Sequence, residues 1–123
     1  MSLATPKRLK KQVTLSAAHR HAPKHEKTTA KRLGGKLTAG SGSKTEKGDI
    51  VVKGVLRLEL KCTTRKSYSL TRETWAKIDA AAASASPREI PAMEIQFLDK
   101  EGRILETLAV VPQWVLDCIV GTK

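Results

Sequence analysis

The most regular alternation of hydrophobic and polar residues lies in residues 55–63, VLRLELKCT. Three leucines alternate with three charged residues, which is the period-two pattern of a strand with one buried face. A shorter apolar run, residues 49–53, comes just before it. Gly54 between the two runs favours a tight turn, because glycine readily adopts a positive φ. The pattern therefore predicts a hairpin of two strands.

Helical and extended patterns alternate along the rest of the chain. Pro23 and Gly34 are typical of the start and the end of a helix, and Thr71 is a good N-cap for another. The predicted order is a helix over 24–34, a short strand near 36–39, the hairpin at 49–63, a helix over 71–84, a hairpin of strands at 93–98 and 104–111, and a last helix over 112–118. This order predicts an α/β domain with a mixed central sheet flanked by helices.

Charge is distributed unevenly. Residues 1–23 are basic and lack apolar periodicity, so we expect a flexible basic N-terminal arm, with residues 24–123 forming a single domain. The chain has 23 Lys and Arg against 12 Asp and Glu, a net charge of +11. Such a charge predicts attraction to a polyanion, and nucleic acid is favoured because neutralised phosphates release counterions. No apolar run is long enough to cross a bilayer, so no membrane partner is expected.

Cysteine and histidine give little sign of chemistry. Cys62 and Cys118 are far apart and have no ligand-like spacing, which favours a reducing cytosol. His19, His21 and His25 have no neighbouring cysteine or carboxylate cluster with zinc-like spacing, so a metal tract there is not expected.

The charged residues of the central hairpin form the main candidate site. Strand periodicity places Glu59 and Lys61 on one face, and the hairpin returns Asp49 to the same neighbourhood. Two nearby carboxylates repel each other unless a cation lies between them, and a hard cation such as Mg²⁺ or Mn²⁺ suits oxygen ligands. The alternative is a sheet face that is merely charged, and an E-x-K pattern alone is weak support for a metal.

The segment EKTTAKRLGGKLTAGSGSKTEKGDIVVKGVLRLELKCT, residues 26–63, resembles the core of the PD-(D/E)xK nuclease superfamily. It is most similar to the archaeal-type Holliday junction resolvases and related phage endonucleases. Those families share a helix carrying a Glu, a strand, a Ser/Gly loop, a strand with an Asp and a strand with E-x-K. The resemblance covers about residues 25–64. The chain departs from the motif at Gly48, where the superfamily name has proline.

The resemblance implies a restriction-endonuclease-like core and a set of site residues. By this likeness, the site consists of metal-binding Asp49 and Glu59, the metal-facing backbone carbonyl of Leu60, the catalytic Lys61, the helical Glu26, and a loop serine that is either Ser41 or Ser43. Glu46 in the loop competes with Glu26 for the role of the additional acid.

The implied activity is Mg²⁺-dependent hydrolysis of DNA phosphodiester bonds, with Mn²⁺ as a substitute. The expected protein is a structure-selective endonuclease, a homodimeric Holliday junction resolvase in a prokaryotic or phage-infected cytoplasm. We expect backbone phosphates to contact Lys24, Lys27, Lys31, Lys44, Lys47, Arg65 and Lys66. Met93, Ile95 and residues 110–115 are candidates for the dimer interface. Two alternatives remain open: another repair or restriction-type nuclease of the same superfamily, and a non-catalytic basic DNA- or RNA-binding module.

Overall fold

A computed structural model of the protein describes residues 17–38 and 49–121. Its elements are α1 (Ala17–Leu33), β1 (Lys36–Leu37), β2 (Ile50–Val52), β3 (Leu56–Thr63), α2 (Arg72–Ser84), β4 (Ile90–Leu98), β5 (Ile104–Val110) and α3 (Gln113–Val120). The described range excludes five residues singled out from the sequence: Ser41, Ser43, Lys44, Glu46 and Lys47. It also excludes residues 1–16 of the predicted arm.

The five described strands form one mixed sheet in the order β1-β2-β3-β4-β5. The first three strands are antiparallel neighbours, β4 runs parallel to β3, and β5 is antiparallel to β4. Parallel neighbours need a long crossover, and α2 lies within the connection from β3 to β4. The predicted α/β class with a mixed sheet is therefore correct.

The alternation in β3 separates two faces of the sheet. One face is apolar and packs against α1, with a buried cluster formed by Ala30, Ile50, Leu58, Leu60 and Ala92. Cys62 packs against the same cluster, as its position after Lys61 predicts. The opposite face carries the charged residues of β3, and Met93 and Ile95 beside them pack against Ile78 of α2. The leucines thus support the sheet from one side, which leaves the other side of β3 for polar chemistry.

Helix α1 begins seven residues earlier than predicted, at Ala17, and Pro23 lies inside it. The sequence predicts Pro23 at the start of the helix, because the first turn is the commonest helical position of proline. The upstream turns pack against the distant β4–β5 turn. The His21 ring lies where a side chain on Gly102 would be, and Ala22 is 3 % exposed. Residues 17–23, predicted as the end of a flexible arm, are therefore helical.

Other local predictions are confirmed. Gly54 has φ +77° in the β2–β3 turn. The Thr71 hydroxyl caps α2 by accepting a 3.1 Å hydrogen bond from the Thr74 amide. Helix α3 begins immediately after Pro112. Each of these signals acts within a few residues of the chain, which is why sequence suffices to predict them.

Candidate functional site

The β2–β3 hairpin brings Asp49 to Glu59. Ile50 pairs with Leu58, and continuing this antiparallel register by one residue places Asp49 opposite Glu59. Thr38, just after β1, binds the Asp49 backbone on the side away from β3. The Asp49 amide donates to Thr38 Oγ1 at 2.7 Å, and the Asp49 carbonyl accepts from the Thr38 amide at 2.8 Å. The short strand β1 therefore fixes the start of β2, where this carboxylate lies.

Glu59 lies between Asp49 and Lys61 on this face. Its side chain is 19 % exposed, and its carboxyl is 2.9 Å from Lys61 Nζ. Burial raises the pKa of Glu59, and a hydrogen bond with the Asp49 carboxyl raises it further, while Lys61 acts in the opposite direction. The two acids are thus close enough to share a proton or a cation.

Lys61 is held in its charged form. Burial alone would lower its pKa, but the hydrogen bond and charge of Glu59 outweigh this effect and raise the pKa of Lys61 above its usual range. Tyr68 and Glu26 contribute to the same increase through their charges. Lys61 therefore pairs with Glu59 as a cation that donates hydrogen bonds.

Three of the predicted residues, Asp49, Glu59 and Lys61, consequently lie together on one face of the hairpin. Asp49, Glu59 and Lys61 are in direct contact, whereas Glu26 of α1 acts on Lys61 through its charge. The Leu60 side chain is 5 % exposed and belongs to the opposite, apolar face, so only its backbone could reach this site.

Two further residues belong to the site, and the sequence did not assign them a role. Arg57 Nη1 is 3.2 Å from Asp49 Oδ2, and Arg57 Nε is 2.9 Å from Glu89 Oε1. The Glu89 side chain is 3 % exposed, and its other oxygen accepts a 3.4 Å hydrogen bond from the Gly54 amide. Strand alternation could have placed Arg57 on this face. Glu89 has no local signal, because it reaches the site through the parallel pairing of β3 with β4.

The donor set determines which cation would fit. Among residues 20–38 and 49–121, no three or more His, Cys, Asp or Glu side chains form a group able to hold a metal ion. Mg²⁺, however, is usually bound through one or two carboxylates, waters and substrate phosphates, not through a full protein cage. Asp49 and Glu59 provide those two carboxylates. With Glu89, Arg57 and Lys61 they make three acids and two bases, so one negative charge is left over when all are ionised.

The predicted phosphate-binding residues that are described are all exposed. Lys24, Lys27 and Lys31 lie on α1, and Arg65 and Lys66 follow β3. Arg65 and Lys66 line a groove of about 520 Å³. A second groove, of about 580 Å³, borders Arg57 and Glu89, and its lining includes Lys36 and Lys53, which the sequence did not single out.

No protein-family model, curated protein or solved structure matches the chain. Within the described ranges, no helix has the length and apolar character needed to span a membrane.

Proposed function

We propose that the protein is a metal-dependent endonuclease that hydrolyses DNA phosphodiester bonds, with Mg²⁺ as its cation and Mn²⁺ as a substitute. The observation that carries this proposal is the β2–β3 hairpin, where Asp49 and Glu59 are in contact and Lys61 is 2.9 Å from Glu59. The order helix, three antiparallel strands, helix, parallel strand is compatible with a restriction-endonuclease-like core. That order and the resemblance of residues 26–63 support the proposal together.

Each residue of the site has a proposed role. Asp49 and Glu59 would bind the cation, with the Leu60 carbonyl and Glu26 as further oxygen donors. When bound, such a cation polarises a phosphate and lowers the pKa of a bound water. Lys61 would position or deprotonate the attacking water, or stabilise charge developing on the phosphate. Ser41 or Ser43 remains the proposed loop serine near the scissile phosphate.

Structure-selective binding, with a four-way junction as substrate, is the most specific part of the proposal. The exposed lysines and arginines favour backbone phosphates, and phosphate contacts carry no base sequence directly. Recognition would then depend on the shape of the DNA. The four-way junction itself, and a prokaryotic or phage-infected cytoplasm, rest on the resemblance to resolvases.

A homodimer is part of the same proposal, and the residues that the sequence indicated for its interface divide into buried and exposed ones. Met93 is fully buried and Ile95 is 7 % exposed, so neither can contribute to an interface. By contrast, β5 and α3 expose large apolar side chains, among them Trp114 of the predicted 110–115 segment. The set is Ile104, Leu105, Leu108, Trp114, Leu116, Ile119 and Val120. We name this set the C-terminal apolar surface. Residues 104–121 contain no Lys or Arg, so the surface lacks the basic charge that would attract DNA.

The proposal is tested by incubating the protein with Mg²⁺ or Mn²⁺ and a panel of four-way junction, flap, duplex and single-stranded DNA. Paired nicks in the junction support a resolvase. Cleavage of flap or duplex instead indicates another nuclease of the same type. Retained tight binding without cleavage of any substrate contradicts the nuclease proposal.

Replacing Asp49 by Asn separates cleavage from binding. The variant Asp49→Asn removes a proposed metal ligand and one negative charge, so we expect cleavage to fall at least about 100-fold while DNA binding is retained or strengthened. Single-turnover cleavage and fluorescence anisotropy measure the two effects. Cleavage at the wild-type rate by a folded variant would show that the site is wrongly assigned. Asp117→Asn, on α3, is the matched control and is expected to cut normally.

One observation favours a second function, a non-catalytic nucleic-acid-binding module. Asp49 is paired with Arg57 and Glu59 with Lys61, so most of the acidic charge is already neutralised without a metal. For such a module, neither the wild-type protein nor Asp49→Asn would cleave DNA, and both would bind it. Direct measurement of Mn²⁺ binding without DNA separates the two functions, since a module of this kind has no use for the cation.

A further inference from the structure

We infer that Arg57, anchored by the buried Glu89, is a positioning residue that holds the Asp49 carboxylate in place for metal binding. This inference rests on the proposed nuclease function and assigns to that site two residues outside the acid and lysine set. It is carried by the connected contacts from Glu89 through Arg57 to Asp49.

Glu89 is a fixed anchor. Its side chain is 3 % exposed, and each of its carboxylate oxygens has a partner on the β2–β3 hairpin, Arg57 Nε at 2.9 Å and the Gly54 amide at 3.4 Å. The neighbouring Ile90 amide also donates to the Val55 carbonyl at 2.9 Å. The start of β4 is therefore tied to the turn of the hairpin by side-chain and backbone bonds.

Arg57 transmits this anchoring to Asp49. Its guanidinium is rigid and planar, so fixing Nε on Glu89 also fixes the direction in which Nη1 points. Nη1 meets Asp49 Oδ2 at 3.2 Å, and the Arg57 side chain is only 21 % exposed. Because a carboxylate accepts through two oxygens, a bond to Oδ2 orients the group and leaves its other side for a second ligand.

The arrangement also has an electrostatic purpose. Asp49 and Glu59 are in contact, and repulsion would drive two ionised carboxylates apart. Arg57 on Asp49 and Lys61 on Glu59 place one cation beside each acid. Arginine is suited to this position because it can contact Glu89 and Asp49 at once. A lysine carries the same charge, but it carries it at a single nitrogen on a flexible side chain. It therefore cannot hold Glu89 and Asp49 in fixed directions as the planar guanidinium does.

The variant Arg57→Lys isolates this positioning role, because it keeps the charge and removes the rigid fork. Partners that orient a metal ligand typically change metal affinity by about 10–100-fold. We therefore expect Mn²⁺ binding without DNA, measured by electron paramagnetic resonance, to weaken at least about tenfold. The Mg²⁺ concentration at half-maximal cleavage should rise by a similar factor, while kcat at saturating Mg²⁺ stays within a few-fold of wild type. Glu89→Gln, which leaves Arg57 intact but weakens its anchor, should shift the midpoint in the same direction.

The control is Arg103→Lys, which alters an exposed arginine paired with Asp99 and Glu101 outside the site, and it should change neither readout. Circular dichroism establishes that each variant is folded. If Glu89→Gln does not fold, Arg57→Lys alone provides the test. Unchanged Mn²⁺ affinity and Mg²⁺ midpoint in Arg57→Lys, with an active wild type, overturn the positioning role alone. A wild-type protein that neither binds Mn²⁺ nor cuts DNA overturns the proposed function, and this inference falls with it.

Discussion

Glu59 illustrates how one residue can be unfavourable for the fold and useful for the site. Its carboxylate lies between Asp49 and Lys61 on a half-buried strand face, and burial and Asp49 together raise its pKa. An ordinary surface glutamate would be placed in water at no cost. Keeping Glu59 here makes sense if a cation stabilises its ionised form when the protein acts.

A pH-dependent stability follows from this raised pKa. A group whose pKa is higher in the folded state contributes stability that is present below its unfolded pKa, about 4.3 for Glu, and is lost as the pH rises through the folded value. In metal-free buffer, the melting temperature of Glu59→Gln relative to wild type should therefore increase from pH 4 to pH 7. Thermal unfolding followed by circular dichroism measures the difference.

Adding Mg²⁺ at pH 7 should reduce this difference, because a bound cation stabilises the ionised wild-type acid and not the amide. Glu106→Gln, at an exposed position on β5, serves as the control for the Glu-to-Gln substitution itself. A melting difference for Glu59→Gln that is the same at every pH would contradict the raised pKa.

The sequence could predict Asp49, Glu59 and Lys61 as neighbours because strand alternation and a tight turn are local patterns. Arg57 appeared in the same alternation, but its role depends on Glu89. That residue lies between a proline and a short apolar run, in SPREIP, with nothing to indicate that it is buried. Only the long-range pairing of β4 with β3 brings Glu89 to Arg57, so the sequence pattern could not predict this ion pair.

At the level of elements, α1 shows where local signals fail. Its C-terminal end follows its glycine signal, with Gly34 at φ +70° directly after Leu33. Its N-terminal turns continue past a proline because they pack against the β4–β5 turn, nearly the whole length of the domain away in sequence. Tertiary contact therefore overrides a proline signal that would be sound for an isolated helix.

The contact between α1 and the β4–β5 turn can be tested at Gly102. This residue has φ +88°, and a Cβ added there would overlap the His21 ring. We expect Gly102→Ala to destabilise the domain by about 2–4 kcal/mol, from backbone strain and overpacking together. Urea unfolding measures the change.

Gly34→Ala is the matched control for Gly102→Ala. Gly34 also has a positive φ, +70°, but a Cβ added there meets nothing within 4 Å. Gly34→Ala should lower the free energy of unfolding by only about 1 kcal/mol, which is the cost of the backbone strain alone. Equal losses in the two variants would mean that the His21 contact contributes nothing to stability.

On the scale of the whole molecule, charge and apolar surface are separated along the chain. The net charge of +11 comes entirely from outside residues 104–121, which contain only acidic charged residues. The same segment contributes seven of the exposed large hydrophobic side chains, the C-terminal apolar surface. Exposed apolar surface of this kind marks association sites in soluble proteins. Under the proposed function, DNA and a second copy would bind to different parts of the molecule.

Self-association through this surface predicts a dimer that a single charge disrupts. Ile119 is 75 % exposed, and burying a charge in its place would cost both the apolar contact and the desolvation of the carboxylate. We expect Ile119→Glu to weaken dimerisation at least about 100-fold, measured by analytical ultracentrifugation. Leu70→Glu, at an exposed apolar residue just before α2, should leave it unchanged. A wild-type protein that is monomeric at about 100 μM would contradict the dimer.

The parallel pairing of β3 with β4 also has a bearing on the order in which the protein folds. Leu56 pairs with Ile90 across the whole crossover, whereas Ile50 and Leu58 meet within one hairpin. Closing a short loop loses less chain entropy than closing a long one, so local pairings form early and parallel ones late. We therefore expect Asp49 and Glu59 to meet in a nascent hairpin, and Glu89 to reach Arg57 only when the parallel pairing is complete. The proposed cleavage at limiting Mg²⁺ should then appear during refolding with the last kinetic phase, after the hairpin itself has formed.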